Sequence, residues 1–286
     1  MTIDVENFAI VTPSYHRDYE PCRLLVDSVN RYVEDKIKHY LIVPKSDYCL
    51  FRHLESSRTI VKFQEDFLPW WIIPTVFSKK WYLSLKTFPI RGWIRQQIVK
   101  LSIGEMLPES VYLIIDSDTF FVKRFSLDNF VKGDSISLYR EIADEDWHHF
   151  DDWQRKASRL FKLDNFKPDR SVYVAPFLFW KKENLQSMFR TIETTQKKSW
   201  QRALCSQLRL SEYTLYGVYV SQVMGIEKSG HYYDSVKHTH DYYGRVPLSI
   251  SELQSFRQKL KDHHLAVSIS AHSLTRLNDI RGVFGF

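Results

Sequence analysis

The chain has 286 residues, of which 44% are hydrophobic and 26% are charged, a balance typical of a globular protein that buries a full apolar core. Its three cysteines, Cys22, Cys49 and Cys205, form no CxxC pair, so neither a zinc ribbon nor a disulfide framework is indicated. No run approaches the roughly 18 to 20 consecutive apolar residues that span a bilayer, and the first residues lack a signal-peptide pattern, so we expect a cytoplasmic protein.

The net charge of +6 and the pI near 9.0 favour anionic partners, which include nucleic acid, an acidic membrane face and a phosphorylated small molecule. The Lys and Arg residues are scattered, and neither zinc-finger spacing nor an RNP-like aromatic motif occurs, so no nucleic-acid partner is expected. Peripheral association with the inner face of a membrane is compatible with this charge. The sequence indicates no oligomeric state.

Glycine loops that bind phosphates are absent from the sequence. The chain has only nine glycines, and they form no GxGxxG, GxxxxGK[ST] or GxSxG pattern. If the protein handles phosphates, it needs another device, such as a divalent metal ion.

The first 64 residues alternate between strand and helix patterns. Apolar runs at 8–15 (FAIVTPSY), 39–44 (HYLIVP) and 59–64 (TIVKFQ) predict buried strands, and residues 21–34 repeat apolar side chains at helical spacing. Parallel neighbours need crossovers, which helices usually supply. The order therefore predicts an α/β fold with a Rossmann-like, mainly parallel central sheet flanked by helices.

Two further segments precede the next strand. Residues 67–77 (FLPWWIIPTVF) are aromatic and contain two prolines, so we expect an irregular connection whose rings pack over the sheet, with base or sugar stacking as the alternative. Residues 92–107 predict a helix with Ile94, Ile98 and Leu101 on one face. A second face, directed at solvent or at a ligand, carries Arg95, Gln96 and Lys100.

The second half of the chain predicts more strands and helices without an internal repeat or a flexible linker. The predicted elements are strands at 171–180 and 265–273 and helices at 182–195 and 249–262. The stretch 144–153 (DEDWHHFDDW) has enough His and Asp for a second metal site, but it has no clean i, i+4 His pair and is predicted to be a solvated acidic loop. We expect one domain, residues 1–286, whose halves meet near residue 125.

The motif that carries chemistry is VYLIIDSDTFFVKRF, residues 111–125, in which Asp116, Ser117 and Asp118 interrupt an apolar segment. Two carboxylates at the end of a buried strand repel each other and resist desolvation, unless a cation compensates them. Mg2+ and Mn2+ suit such oxygen ligands, and the carboxyl edge of a parallel sheet is where ligands bind. The alternative is that Asp116 or Ser117 only caps a turn.

Four motifs in this order, IVTPSY, GWIRQQIVKL, LIIDSDTFFVK and SEYTLYGVYV, resemble those of nucleotide-sugar-dependent glycosyltransferases with the GT-A fold. The resemblance is greatest to a little-characterised bacterial family (DUF6492-like) related to capsule and cell-surface glycan enzymes. It covers almost the whole chain. It implies a single GT-A-like catalytic domain, with a nucleotide-sugar-binding half at 1–125 and an acceptor-binding half at 126–286.

The resemblance also implies roles for particular residues. Asp118 would ligate the metal that holds the donor diphosphate, Asp116 would bind the metal or the ribose, and the late His272 would be the third metal ligand, with His238 and His240 as rivals. Glu212 would face the acceptor as general base in an inverting enzyme, or orient a substrate in a retaining one. The remaining donor-binding residues would be Thr12, Pro13, Ser14, Arg95, Gln96, Lys100 and Ser117.

A carboxylate that accepts the proton of a sugar hydroxyl assists its attack on the anomeric carbon, which gives the Glu212 role a physical basis. Glu212 also suits the first turn of a helix capped by Ser211, which is the structural alternative. We expect a Mn2+- or Mg2+-dependent glycosyltransferase that moves a sugar from a nucleotide diphosphate sugar to a glycan or lipid-linked acceptor in bacterial surface polysaccharide synthesis. The alternatives are a sugar-nucleotide nucleotidyltransferase and a non-catalytic nucleotide- or glycan-binding module.

Overall fold

Strands and helices alternate through the first half of the chain, as the hydrophobic pattern predicts. The computed structural model describes residues 3–74, 81–143 and 148–286. Its strands are β1 (Phe8–Pro13), β2 (Lys38–Val43), β3 (Thr59–Phe63), β4 (Ile72–Pro74), β5 (Trp81–Ser84), β6 (Ile90–Arg91), β7 (Val111–Ile115), β8 (Thr119–Phe121), β9 (Val131–Lys132), β10 (Ser135–Tyr139), β11 (Glu141–Ile142), β12 (Ser171–Val172), β13 (Phe177–Lys181), β14 (His231–Asp234), β15 (Thr239–Tyr242) and β16 (Ala266–Ile269). Its helices are α1 (Tyr19–Tyr32), α2 (Tyr48–Phe51), α3 (Gly92–Met106), α4 (His148–Phe161), α5 (Lys182–Gln196), α6 (Trp200–Cys205), α7 (Glu212–Val218), α8 (Ile250–Gln258) and α9 (Leu277–Phe284).

The central sheet has the strand order β13-β7-β1-β2-β3. All neighbours in it are parallel except β13, which runs antiparallel to β7 at one edge. The predicted α/β fold with a mainly parallel sheet and flanking helices is therefore confirmed.

Both faces of the sheet are buried, which explains why its strands read as continuous apolar runs. Along β1, Phe8 and Ile10 face the cluster that contains Leu25 of α1. The alternate residues face the opposite cluster, which contains Ile98 of α3. The side chains of β1 thus hold one helix on each face of the sheet.

Strand order reverses at β1, because the chain builds β2 and β3 on one side of it and then returns to add β7 on the other. In open parallel sheets, a crevice forms outside the carboxyl ends of the strands at this kind of switch point. The two segments that leave this point are the loop after Pro13 and residues 116–118. The topology therefore places the predicted acidic motif where a ligand-binding crevice is expected.

The second half of the chain adds small sheets, β14-β10-β9, β15-β16-β8 and β11-β12. The strand predicted at 171–180 is divided into β12 and β13, which is a correction. Pro176 lies between them and has no N–H for a ladder, while its carbonyl accepts the N–H of Asp116 at 3.2 Å.

Other predicted bounds also change. The final strand is shorter than predicted, since β16 ends at Ile269 and residues 271–273 form a 3-10 turn. The acidic stretch at 144–153 lies in part outside the described residues, and α4 begins at His148. In the described ranges, no helix combines the length and the apolar character needed to cross a membrane.

Two fully buried histidines make the fold sensitive to acid. His39 shares a hydrogen bond of 2.9 Å with the Thr12 hydroxyl, and His231 shares one of 2.7 Å with the Tyr216 hydroxyl. Burial lowers the pKa of each to about 3. A histidine of the unfolded chain takes up a proton near pH 6.5, whereas these two do not when folded. Their contribution to stability is therefore present above pH 6.5 and is lost as the pH falls toward 3.

We expect the free energy of unfolding to fall less between about pH 7 and about pH 5 in His39→Gln than in the wild type, by about 2 kcal/mol. The substituted glutamine has no group that titrates in this range, and its amide can still bond with Thr12. Urea unfolding at both pH values measures the difference. Equal losses in the two proteins would contradict the assignment.

Candidate functional site

The acidic turn, residues 116–118, connects β7 of the central sheet with β8 of a smaller one. The Thr119 N–H donates to the Asp116 carbonyl at 3.0 Å, which closes the turn. The Ile269 N–H donates to the Asp118 carbonyl at 3.1 Å. Backbone hydrogen bonds from β8 and β16 thus fix the shape of the turn that carries the two carboxylates.

A buried ion-pair network lies beneath this turn and consists of Lys100, Asp116, Glu212 and Tyr213. The Lys100 Nζ atom lies 3.2 Å from an oxygen of Asp116 and 3.2 Å from an oxygen of Glu212. It also donates to the Tyr213 hydroxyl at 2.5 Å. Lys100 comes from α3 and Glu212 from the first turn of α7, so the network joins the two halves of the chain.

The ammonium of Lys100 stays charged in this environment. Burial lowers its pKa, but Asp116, Tyr213 and Glu212 together raise the pKa well above the ordinary value. One cation therefore compensates two carboxylates, of which Glu212 is buried and Asp116 is partly exposed. The Lys100 ammonium thus offsets part of the cost of placing carboxylates at the buried end of β7.

Asp118 is outside this network and has no cationic partner among the described contacts. Its Oδ2 accepts the N–H of Ala271 at 3.0 Å. Burial, and then the charge of Asp116, raise the pKa of Asp118 to about 6. The charge of Asp18 adds to this rise, so three carboxylates act on one another at this edge.

Asp18 is a member of the site that the sequence did not reveal. It follows β1 and its Oδ2 accepts the Ser117 hydroxyl at 3.3 Å. Burial raises the pKa of Asp18, while the charge of His272 lowers it. The signal that could have identified Asp18 was its position just after a strand at the carboxyl edge, in the loop YHRD.

The residues that end β1 lie beneath the edge of the sheet. Thr12, Pro13 and Ser14 are all buried. The Thr12 hydroxyl is bonded to His39, and the Ser14 carbonyl accepts the side-chain amide of Gln64 at 3.1 Å. In this arrangement the side chain of Thr12 is bonded to the neighbouring strand β2 through His39.

The predicted polar face of α3 separates into three environments. Lys100 points to the acidic turn. Arg95 donates to Gln64 Oε1 at 2.8 Å and lies 4.7 Å from the ring centre of Tyr82. Gln96 is exposed. Only part of the predicted donor face is therefore next to the carboxylates.

The three candidate histidines occupy different surroundings. His272 lies in the turn that also presents Ala271, and its charge acts on Asp18. His238 is hydrogen-bonded to Asp234 at 3.1 Å and packs against a phenylalanine. His240 stacks on Phe256 at 4.0 Å. Of the three, His272 has the described link to the acidic edge.

A cavity of about 280 Å³ adjoins Asp118. Arg17 and Ser270 contribute polar groups to it, and Leu24 and Phe120 form part of its apolar wall. Leu274 on its rim is 78% exposed and has a left-handed φ of 56°. This conformation costs a residue with a side chain about 1 to 2 kcal/mol, and such strain is concentrated at functional positions.

Tyr243 is a further polar residue whose hydroxyl is affected by the charges of the acidic turn. The Tyr243 hydroxyl donates to Asp241 at 2.9 Å, and Asp241 is paired with Lys237 at 2.6 Å. Burial raises the pKa of Tyr243, and the charges of Asp241, Asp116 and Asp118 raise it further. This tyrosine, from the C-terminal half, was not predicted.

The donor set suits a hard divalent cation, since the carboxylates of Asp116 and Asp118 belong to one turn, and burial together with the charge of Asp116 raises the pKa of Asp118. Within residues 3–74, 81–143 and 148–286, no three His, Cys, Asp or Glu side chains form a metal-binding group by themselves. Mg2+ commonly uses one or two carboxylates together with waters and substrate phosphates. Asp116 and Asp118 are the residues that fit this mode.

The fold is similar to that of a solved glycosyltransferase structure. The apo structure of WbbM, a bifunctional glycosyltransferase, matches with a TM-score of 0.53 at 10% sequence identity, over 99% of this chain and 50% of that one. At this identity the likeness shows the fold alone, and this chain spans about half the length of WbbM.

The family is established by sequence. The chain belongs to DUF6492, a family of unknown function, whose profile matches residues 7–259. No curated protein matches the sequence.

Proposed function

We propose that this protein is a metal-dependent glycosyltransferase that transfers a sugar from a nucleotide diphosphate sugar to a glycan or lipid-linked acceptor. The observation that carries the proposal is the acidic turn at the switch point of the sheet, with Asp118 uncompensated beside a cavity. The fold shared with a glycosyltransferase supports it. Bacterial surface polysaccharide synthesis at the cytoplasmic side of a membrane is the setting we propose.

On the donor side, Asp118 and Asp116 would hold Mn2+ or Mg2+ with waters and donor phosphates, and His272 would become the third protein ligand after a shift of its turn. Bound there, the ion would stabilise the charge of the departing diphosphate. The cavity beside Asp118 would receive the diphosphate, because Arg17 on its wall supplies positive charge. Ser117 holds Asp18 in place, and Gln96 would meet the donor from the exposed side of α3.

The contacts of Glu212 support a positioning role in place of the expected role as general base. A general base must be free to accept a proton from the acceptor hydroxyl. Glu212 is buried and its carboxylate is already bound to the Lys100 ammonium. We therefore propose that Glu212 positions Lys100 and, through it, Asp116.

A nucleotide screen tests the proposal. The unfolding temperature is measured with UDP, GDP, CMP and dTDP in turn, with and without Mn2+, and one of them should stabilise the protein only when Mn2+ is present. Stabilisation without any turnover of the matching nucleotide sugar would indicate a binding module. If no nucleotide changes the unfolding temperature, the donor site is wrong.

A further inference from the structure

The sheet formed by β4, β5 and β6, called here the outer sheet, has two apolar faces. Directly opposed residues of an antiparallel pair share a face. On the inner face, Ile90 is opposite Tyr82, and both pack against the core. On the outer face, Ile73 is opposite Leu83, and both are exposed. An antiparallel sheet with one solvated face normally carries polar residues there.

The segment around the outer sheet concentrates the exposed apolar surface of the protein. Seven of the 17 large apolar side chains that are exposed in the described residues fall within residues 70–93. Phe88 is 87% exposed, Trp70 is 74% exposed and Leu85 is 64% exposed. Isolated exposed apolar residues need no explanation, but a group of this size indicates an interaction surface.

The charge around this surface identifies the chemistry of its partner. Between Asp66 and Glu105 the sequence has no acidic residue and six basic ones. The Lys86 Nζ atom lies 5.1 Å from the ring centre of Trp70, and the guanidinium of Arg91 lies 5.5 Å from that of Trp81. Tryptophan beside lysine and arginine, together with exposed leucine and phenylalanine, is typical of a membrane-interface anchor.

We propose that the outer sheet, with the flanking residues Trp70, Leu85, Lys86 and Phe88, docks the protein onto an anionic lipid bilayer. The apolar side chains enter the boundary between headgroups and acyl chains, and the cations remain at the phosphate level. A bilayer accounts for both properties of the surface, whereas a second copy of this basic chain would bring like charges together. The proposal does not depend on the enzymatic activity.

The surface is also connected to the crevice. Arg95 contacts Tyr82 on the inner face and donates to Gln64, whose amide donates to the Ser14 carbonyl at the end of β1. Helix α3 begins directly after β6 and carries Lys100 to the acidic turn. Docking would therefore hold the carboxyl edge of the central sheet at a fixed orientation to the lipid surface.

Co-sedimentation with vesicles tests the proposal. The full chain is expected to bind vesicles of phosphatidylcholine mixed with phosphatidylglycerol, and to bind more weakly to pure phosphatidylcholine or in high salt. The variant L85E/F88S should lose about tenfold or more in binding. Leu208→Glu is the matched control, because Leu208 is 70% exposed and lies outside the outer sheet, and it should bind like the wild type.

Two outcomes would overturn the proposal. The first is that the wild type binds neither vesicle, or that L85E/F88S binds as well as the wild type does. The second is that the wild type is an oligomer that L85E/F88S converts to a monomer while neither protein binds lipid, which would assign the surface to a second copy. Thermal unfolding of each variant checks that it is folded, and the exposed positions predict unchanged unfolding temperatures.

Discussion

Asp118→Asn is expected to lower the metal-dependent turnover of the nucleotide sugar by about 10³-fold, the effect of losing roughly 4 kcal/mol of charge stabilisation in the transition state. The change removes the carboxylate charge but keeps an oxygen that can accept the Ala271 N–H. Release of the nucleotide diphosphate measures turnover, with the donor whose nucleotide stabilises the wild type most in the presence of Mn2+.

The same variant should remain folded, which separates a loss of chemistry from a loss of structure. Burial and neighbouring carboxylates already disfavour the charged form of Asp118, so its removal should not lower the unfolding temperature. Asp262→Asn is the control, since that side chain is fully exposed. Wild-type turnover by Asp118→Asn would remove Asp118 from the site.

Lys100→Met is expected to lower the free energy of unfolding by about 3 to 5 kcal/mol, the usual cost of leaving a buried charge without its partner. The methionine has a similar length but no charge, so the Glu212 carboxylate would be buried uncompensated. Urea unfolding at neutral pH measures the change. The partly exposed Asp116 should contribute less than Glu212, because water screens it.

A second change tests whether the pairing is the cause. The double variant K100M/E212Q should recover part of the lost stability, because no buried carboxylate then remains unpaired. Lys156→Met removes a surface partner of Asp152 and should cost only about 0.3 to 0.5 kcal/mol. A Lys100→Met protein as stable as the wild type would show that the network is open to solvent.

Local pattern was sufficient for much of the fold. Local pattern predicted the strands β1, β2, β3 and β7, because burial on both faces of the sheet gives each strand a continuous apolar run. The helical spacing of apolar residues predicted α3. The split between β12 and β13 was missed although Pro176 was a local signal for it, and the bond of its carbonyl with Asp116, 60 positions away, could not be read from the sequence.

Local pattern alone identified only site residues that are neighbours in sequence, whereas Lys100, Glu212 and His272 were expected from the resemblance to a family. Asp116 and Asp118 are visible as a motif, and Ser211 was recognised as the cap that begins α7. Asp18 contacts the acidic turn across 99 positions, and no periodicity signals such a contact. The helical pattern placed Lys100 on a polar face but could not show that this face meets two carboxylates.

The support of Asp118 by Ile269 and Ala271 has a consequence for the order of folding. These contacts join positions about 150 residues apart, and contacts of such long range form slowly during folding. The central sheet can assemble from the first half of the chain together with β13. The acidic turn acquires the hydrogen bonds from Ile269 and Ala271 only when β16 pairs with β8, so competence to bind the donor should depend on that late pairing between distant parts of the chain.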